Sequence, residues 1–297
     1  MKQRQGHEAA HATFIPTIVV AEQAGACYGV QRALDMVEQA ASEAPGPVRT
    51  LGPLIHNPQV VASLEQRGVA VTEEVPHDAG STLVLRTHGV VPAIVNEAKG
   101  RGLNVIDATC PYVKRVHAAA ERLEREGYQV IVVGEAGHPE VEAILGHAEG
   151  AVAVADADAL AQLSLSPKVG VVVQTTQAKA RLDEVVCALT GLVREVCVVN
   201  TICAATSERQ GSAAHLAAES DVMVVIGGRN SANTTRLAEI CSACCPHTHH
   251  IEVPSELRPE WFEGATSIGV TAGASTPVSK IDEVVDAIRS ICSPEDD

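Results

Sequence analysis

Residues 105–124, VIDATCPYVKRVHAAAERLE, decide how this chain is read. The stretch opens as a short apolar strand and breaks at Cys110-Pro111. It continues as a helix whose apolar positions Val113, Val116, Ala120 and Leu123 recur at three- and four-residue spacing. Taken alone, Cys110 reads as a small residue that packs well at a tight turn. Two more cysteines hold the same place. Cys27 in GACYGVQRAL and Cys203 in TICAATSERQ each sit where an apolar strand gives way to a helix. The three are 83 and 93 residues apart, about one small α/β lobe each.

The same alternation runs through the whole chain and argues an α/β fold with largely parallel sheets. Strands are expected over 17–21, 82–86, 104–107, 129–134, 169–174, 196–201, 221–227 and 267–271, most of them followed by helices. A weak repeat supports this: VGVVVQTTQAKARLDEVVCAL (169–189) resembles SIGVTAGASTPVSKIDEVVDAI (267–288). The expectation is three similar lobes, 30–110, 111–202 and 203–291, each with a small, mostly parallel sheet and arranged pseudo-three-fold. The strand within 17–29 joins the last lobe, and residues 1–16 are read as a flexible leader.

Composition narrows the function. Hydrophobic residues make 46% and charged residues 20% of the 297, the mark of a globular protein. No apolar run approaches the ~20 residues that span a bilayer, and the first residues carry no signal-peptide core, so a cytoplasmic protein is expected. A net charge of −15 leaves no basic surface for nucleic acid, and 2% aromatics leave no stacking platform for bases. Nine cysteines in a reducing compartment favour free thiols, metal ligands or cluster ligands over disulfides.

Strand ends that feed helix starts are where open α/β sheets place ligands, and the unpaired helix N–H groups there favour a thiolate. Three lobes around one axis bring three such thiolates together. Three thiolates hold an iron–sulfur cubane at three corners, whereas electron-transfer clusters usually take four cysteines. The fourth iron is then open to substrate as a Lewis acid. A second cysteine-rich segment, CSACCPHTHH (241–250), reads either as a zinc-type cluster or as a helix end running into a loop.

Three loop histidines, His56 in LIHNPQV, His88 in RTHGVV and His138 in GEAGHPEV, suggest an anion site built without lysines. Glu140, two residues after His138, reads equally as a proton source and as a first-turn glutamate favoured by the helix dipole. The loops QTTQ (174–177), GGRNSANTTRL (227–237) and TAGASTP (271–277) each lie between strand and helix, the geometry that cradles a phosphate. None matches a nucleotide-binding glycine motif.

Together, GACYGV, HNPQVV, THGV, DATCPYV, GHPEV, QTT, NTICAAT, ERQ, NSANT and TAGASTP stand in the order of the 4-hydroxy-3-methylbut-2-enyl diphosphate reductases, a family that this chain resembles over almost its whole length. The resemblance implies one 4Fe–4S cluster with Cys27, Cys110 and Cys203 as ligands and one open iron. It implies a diphosphate site of His56, His88, Ser231, Asn233 and Ser275, with His138 and Thr175 near the allylic end and Glu140 as proton source. The implied partners are a small allylic diphosphate and a ferredoxin or flavodoxin as electron donor. Two departures stand out: Ala26 where the family usually has phenylalanine, and Ala232 where it often has serine. A paralogue acting on another phosphorylated substrate is the alternative.

Overall fold

Twelve strands gather into three parallel sheets of four among residues 15–293, the part that this computed structural model describes. The first sheet holds β2 (Val48–Leu51), β3 (Val69–Thr72), β4 (Thr82–Leu85) and β5 (Asn104–Asp107), in the order β3-β2-β4-β5. The second holds β6 (Gln129–Val133), β7 (Val152–Val154), β8 (Lys168–Val173) and β9 (Glu195–Val198), in the order β7-β6-β8-β9. The third holds β10 (Val222–Ile226), β11 (Thr248–Ile251) and β12 (Ser267–Ala272), with β1 (Thr17–Val20) against β12. One spatial order therefore recurs three times, and in the third sheet the first strand of the chain fills the last place.

Parallel strands need covered faces, and the central strands carry the sequence that this demands. VIVV in β6, VGVVV in β8 and VMVVI in β10 are buried throughout. Alternate residues face alternate cores. In the second sheet Val130, Val132 and Val172 pack on one side, and Ile131, Val133, Val171 and Val173 on the other. Helices supply the cover: α1 (Tyr28–Glu43), α2 (Pro58–Gln66), α3 (Pro92–Gly100), α4 (Pro111–Arg125), α5 (Pro139–Leu145), α6 (Lys179–Leu192), α7 (Ala204–Ala218), α8 (Ala232–Cys244) and α9 (Val278–Cys292).

The structure corrects several sequence expectations. Strands β2, β3, β7 and β11 carry no expected counterpart. Strand β9 stops at Val198 rather than 201, because the Asn200 side chain caps the Ile202 N–H and Thr201 Oγ1 accepts from Val173 N. Segment 241–250 does not end in a loop: it finishes α8 and enters β11. Its thiols do not gather either. Cys241 and Cys245 are sunk in the apolar core, Cys244 is exposed, and His249 stacks on Trp261 at 3.8 Å. The expected leader lies outside the described residues apart from Ile15 and Pro16. No described helix is long and apolar enough to cross a membrane.

Candidate functional site

The repeated sheet order delivers a repeated set of loops. In each sheet the edge strand, β1, β5 or β9, runs into a cysteine that begins the next helix: Cys27 before α1, Cys110 before α4 and Cys203 before α7. Each cysteine N–H donates to the carbonyl of the loop after the neighbouring strand: Cys27 to Ala274 at 3.1 Å, Cys110 to Thr87 at 3.0 Å, Cys203 to Thr175 at 3.1 Å. That bond fixes the equivalences. Thr87, Thr175 and Ala274 correspond, and so do His88, Thr176 and Ser275. The third set of loops starts α2, α5 and α8, capped by Asn57, His138 and Ser231.

These loops close around one cavity of about 740 Å³, counting its part open to solvent. All the residues singled out in the sequence line it: the three cysteines, His56, His88 and His138, Glu140, Thr175, Ser231, Asn233 and Ser275. Ala232 lines it too, while Val30, Ile55 and Val113 give it an apolar wall.

None of the three cysteine side chains caps its own helix, which leaves the thiols to the cavity. Burial pushes the Cys110 thiol up, against the pull of the Tyr112 and Val113 N–H groups, and the charges of Cys27 and Cys203 push it further. Burial likewise raises Cys203, opposed by the Ala205 and Thr206 N–H groups. Thiols gathered in a buried site, where burial and neighbouring charge raise Cys110 and Cys203, call for a positive centre. A Cβ on Gly29 would stand 2.5 Å from Cys110 Sγ and 3.9 Å from Cys27 Sγ, so the bare glycine keeps this space open. One zinc ion would draw thiolate sulfurs to within about 4 Å of each other. Among the described residues the group of three metal-capable side chains within 4.8 Å of one another is His56, His88 and His138, and the thiols are spaced more widely. Three thiols spread around a glycine-lined gap fit a polynuclear iron–sulfur centre better than a single ion.

The histidine trio is built as a donor site. Ring centroids lie 4.4, 5.4 and 5.5 Å apart. His138 Nδ1 accepts from the Glu140 N–H at 3.1 Å, which puts the ring proton on Nε2 and turns a donor into the cavity. That tautomer suits an anion and disfavours a metal. His56 Nε2, His88 Nδ1 and Asn233 Nδ2 are buried without a protein partner, as ligand-facing groups are before the ligand binds. Burial lowers the pKa of all three rings, with the Arg86 charge adding to it; His138 falls to about 4. The rings also repel one another's charge, which lowers His88 further.

Glu140 is 2% exposed. Thr175 holds both of its oxygens, the N–H donating to Oε1 at 2.6 Å and the hydroxyl to Oε2 at 2.8 Å. Burial outweighs these two bonds and raises the Glu140 pKa to about 7. The carboxyl can therefore exchange a proton near neutral pH, which an exposed first-turn glutamate does not do.

A family profile described as LytB protein matches residues 18–289. The chain belongs to the LytB family. Among curated relatives of this LytB chain is a 4-hydroxy-3-methylbut-2-enyl diphosphate reductase of Geobacter sulfurreducens, 50% identical over 92% of this chain and 96% of the relative. One from Aquifex aeolicus is 46% identical over 93% and 96%. Two solved LytB relatives share the fold. One, described as (E)-4-hydroxy-3-methyl-but-2-enyl diphosphate reductase, the terminal enzyme of the non-mevalonate pathway, is 45% identical over 92% of this chain and 99% of its own, with a TM-score of 0.70. The Plasmodium falciparum E-1-hydroxy-2-methyl-but-2-enyl-4-diphosphate reductase is 26% identical over 91% and 87%, with a TM-score of 0.87.

Sequence reasoning missed several residues in and around the LytB cavity. Thr87 and Thr176 line the cavity beside the expected His88 and Thr175. Asn57 caps α2 and reaches across to the Ser275 carbonyl at 2.8 Å, tying the first sheet's loops to the third's. Arg209 lines the cavity as a buried cation. Its signal was present: Thr206, Arg209, Ala213 and Ala217 form the buried stripe of α7, with the arginine in the middle of it.

Proposed function

We propose that this chain reduces (E)-4-hydroxy-3-methylbut-2-enyl diphosphate to isopentenyl and dimethylallyl diphosphate, consuming two electrons and two protons and releasing water. One observation carries the reading: a buried glutamate with a pKa near neutrality shares a cavity with three convergent thiols and a donor-lined anion pocket. The names of the relatives support it, as do the motifs shared along the chain.

Cys27, Cys110 and Cys203 would hold a 4Fe–4S cluster, which supplies single electrons and an iron without a protein ligand to act as a Lewis acid. The diphosphate lies against His56, His88, Ser231, Asn233 and Ser275 and satisfies the unpartnered His56 Nε2, His88 Nδ1 and Asn233 Nδ2, while His138 and Thr175 flank the allylic end. Val30, Ile55 and Val113 flank the C5 chain and exclude water. Glu140 gives its proton to the departing hydroxyl. Thr175 Oγ1 can donate to the carboxylate or accept from the acid, so the pair passes a proton without rearranging. The second proton ends on carbon. Ferredoxin or flavodoxin delivers the electrons one at a time, and nine free cysteines suit a reducing cytoplasm.

The test is anaerobic purification followed by iron and labile-sulfide assays and turnover of the allylic diphosphate with a one-electron reductant. Iron and sulfide together with both products are expected. Zinc without labile sulfide, or no turnover by a loaded protein, would sink the reading.

A further inference from the structure

Arg209 is the cation that the cavity did not advertise. It projects from the second turn of α7, the helix that Cys203 begins, and is 5% exposed. A buried guanidinium is costly unless its charge is met. Arg209 forms no ion pair with a carboxylate among the described residues. Its fork spends itself on carbonyls instead: Nη2 donates to Gly25 at 2.8 Å and Nη1 to Ala205 at 3.3 Å, while Nε stays buried with no partner.

The Gly25 bond spans 184 residues and lands two positions before Cys27. Gly25 adopts φ +96, open to glycine, and a side chain there would press on Ile281 and Thr276. Arg209 thus pins the turn that aims Cys27 from the helix that carries Cys203. A second arginine repeats the device: Arg32, on the helix that Cys27 begins, donates to the Thr109 carbonyl beside Cys110 at 3.4 Å.

Burial lowers the Arg209 pKa, and the charges that pull it back are first Cys27 and Cys203, then Glu208. Arg209 lines the same cavity as Cys27 and Cys203.

We propose that Arg209 is a positioning residue and fixed counter-charge for the cysteine-held cluster: it locks Cys27 relative to Cys203 and favours the reduced state of the centre. The inference rests on the function proposed above. A cation beside a centre that gains negative charge stabilises the reduced form more than the oxidised form.

The test compares Arg209→Gln and Arg209→Lys with the wild-type protein, all purified without oxygen, by iron and sulfide content and by redox titration. Arg209→Gln should lower the ratio of reduced to oxidised cluster about tenfold at a given potential, a shift of about 59 mV to the negative for one electron. Arg209→Lys keeps the charge but gives up the forked hold on Gly25 and Ala205, so it should keep the wild-type potential while its iron content falls in part. A loaded Arg209→Gln protein with wild-type potential overturns the proposal. Should Arg209→Gln hold no cluster, Arg209→Lys decides: restored iron, sulfide and potential support the counter-charge. A loaded Arg209→Lys protein whose potential lies about 59 mV below wild type overturns it, because the charge is then present without effect, whereas loss of iron from both folded variants supports the lock. A wild-type chain without iron and sulfide defeats the function reading and this inference together; a loaded wild type with an indifferent Arg209→Gln defeats only the inference.

Discussion

The cysteine turns and the capping loops of the same three sheets were built under opposite demands. The cysteine turns are alike: edge strand, cysteine, helix, and one N–H to a neighbouring carbonyl at 3.0 to 3.1 Å. The loops that cap α2, α5 and α8 differ in every sheet, as His56-Asn57, His138 with Glu140, and Ser231 with Asn233. Repetition suits a centre that presents three similar corners. Divergence suits a ligand with two unlike ends, an anion at one and a reacting carbon at the other. Symmetry suits the proposed cofactor, and its loss suits the proposed substrate.

That contrast breaks most readily at the thiols. Cys27→Ser, Cys110→Ser and Cys203→Ser should each lose iron and sulfide and lower kcat roughly a thousandfold. The three should fall alike in an iron assay, and one variant that keeps a full cluster would undo the equivalence.

Glu140→Gln tests the divergent side. It should keep the cluster and lose kcat by on the order of 10²-fold. Because the folded pKa is raised to about 7, the proton is present below neutrality and leaves as pH rises through about 7. Wild-type kcat should therefore fall on the alkaline side, roughly tenfold per unit, while the glutamine variant shows a flat profile. The same raised pKa gives acid-side stability, complete below the ordinary carboxyl value and lost as pH rises through about 7. Thermal unfolding at several pH values should thus show glutamine helping most above neutrality.

His88→Asn removes one member of the anion pocket. It should raise KM about 10- to 100-fold, the worth of a hydrogen bond to a charged group, with a smaller change in kcat. The smallest effect is expected from Ala232→Ser, which adds a hydroxyl at the cavity wall and should lower KM about 2- to 10-fold. Steady-state kinetics read both, and an unchanged KM in His88→Asn would take that ring out of the pocket.

The fold was legible where local chemistry dictates it. Runs such as VIVV and VGVVV admit few states other than buried parallel strand, and Cys110-Pro111 marks a helix start. Strands β3, β7 and β11 are short edges like β1, β5 and β9, but no cysteine turn follows them to mark the strand end, and THHI in β11 looks like a loop until β10 lies beside it. Strand β2 hides between Pro47 and Gly52, with Arg49 interrupting its apolar run. The cavity residues came forward because each sits in a strand-to-helix turn or in the first turn of the helix that follows it. Arg209 did not, because its meaning comes from burial and from a carbonyl 184 residues away, neither of which local pattern records.

The completion of the third sheet by β1 has a consequence for how the protein is made. Thr17 pairs with Ser267, 250 residues later, so the first of the described strands finds its neighbour only in the last of them. Cys110 and Cys203 belong to sheets that are finished in the order of synthesis, while Cys27 waits for the far end of the chain. The ring closes like a buckle: a chain cut before β12 leaves β1 without its neighbour and the Cys27 N–H without the Ala274 carbonyl.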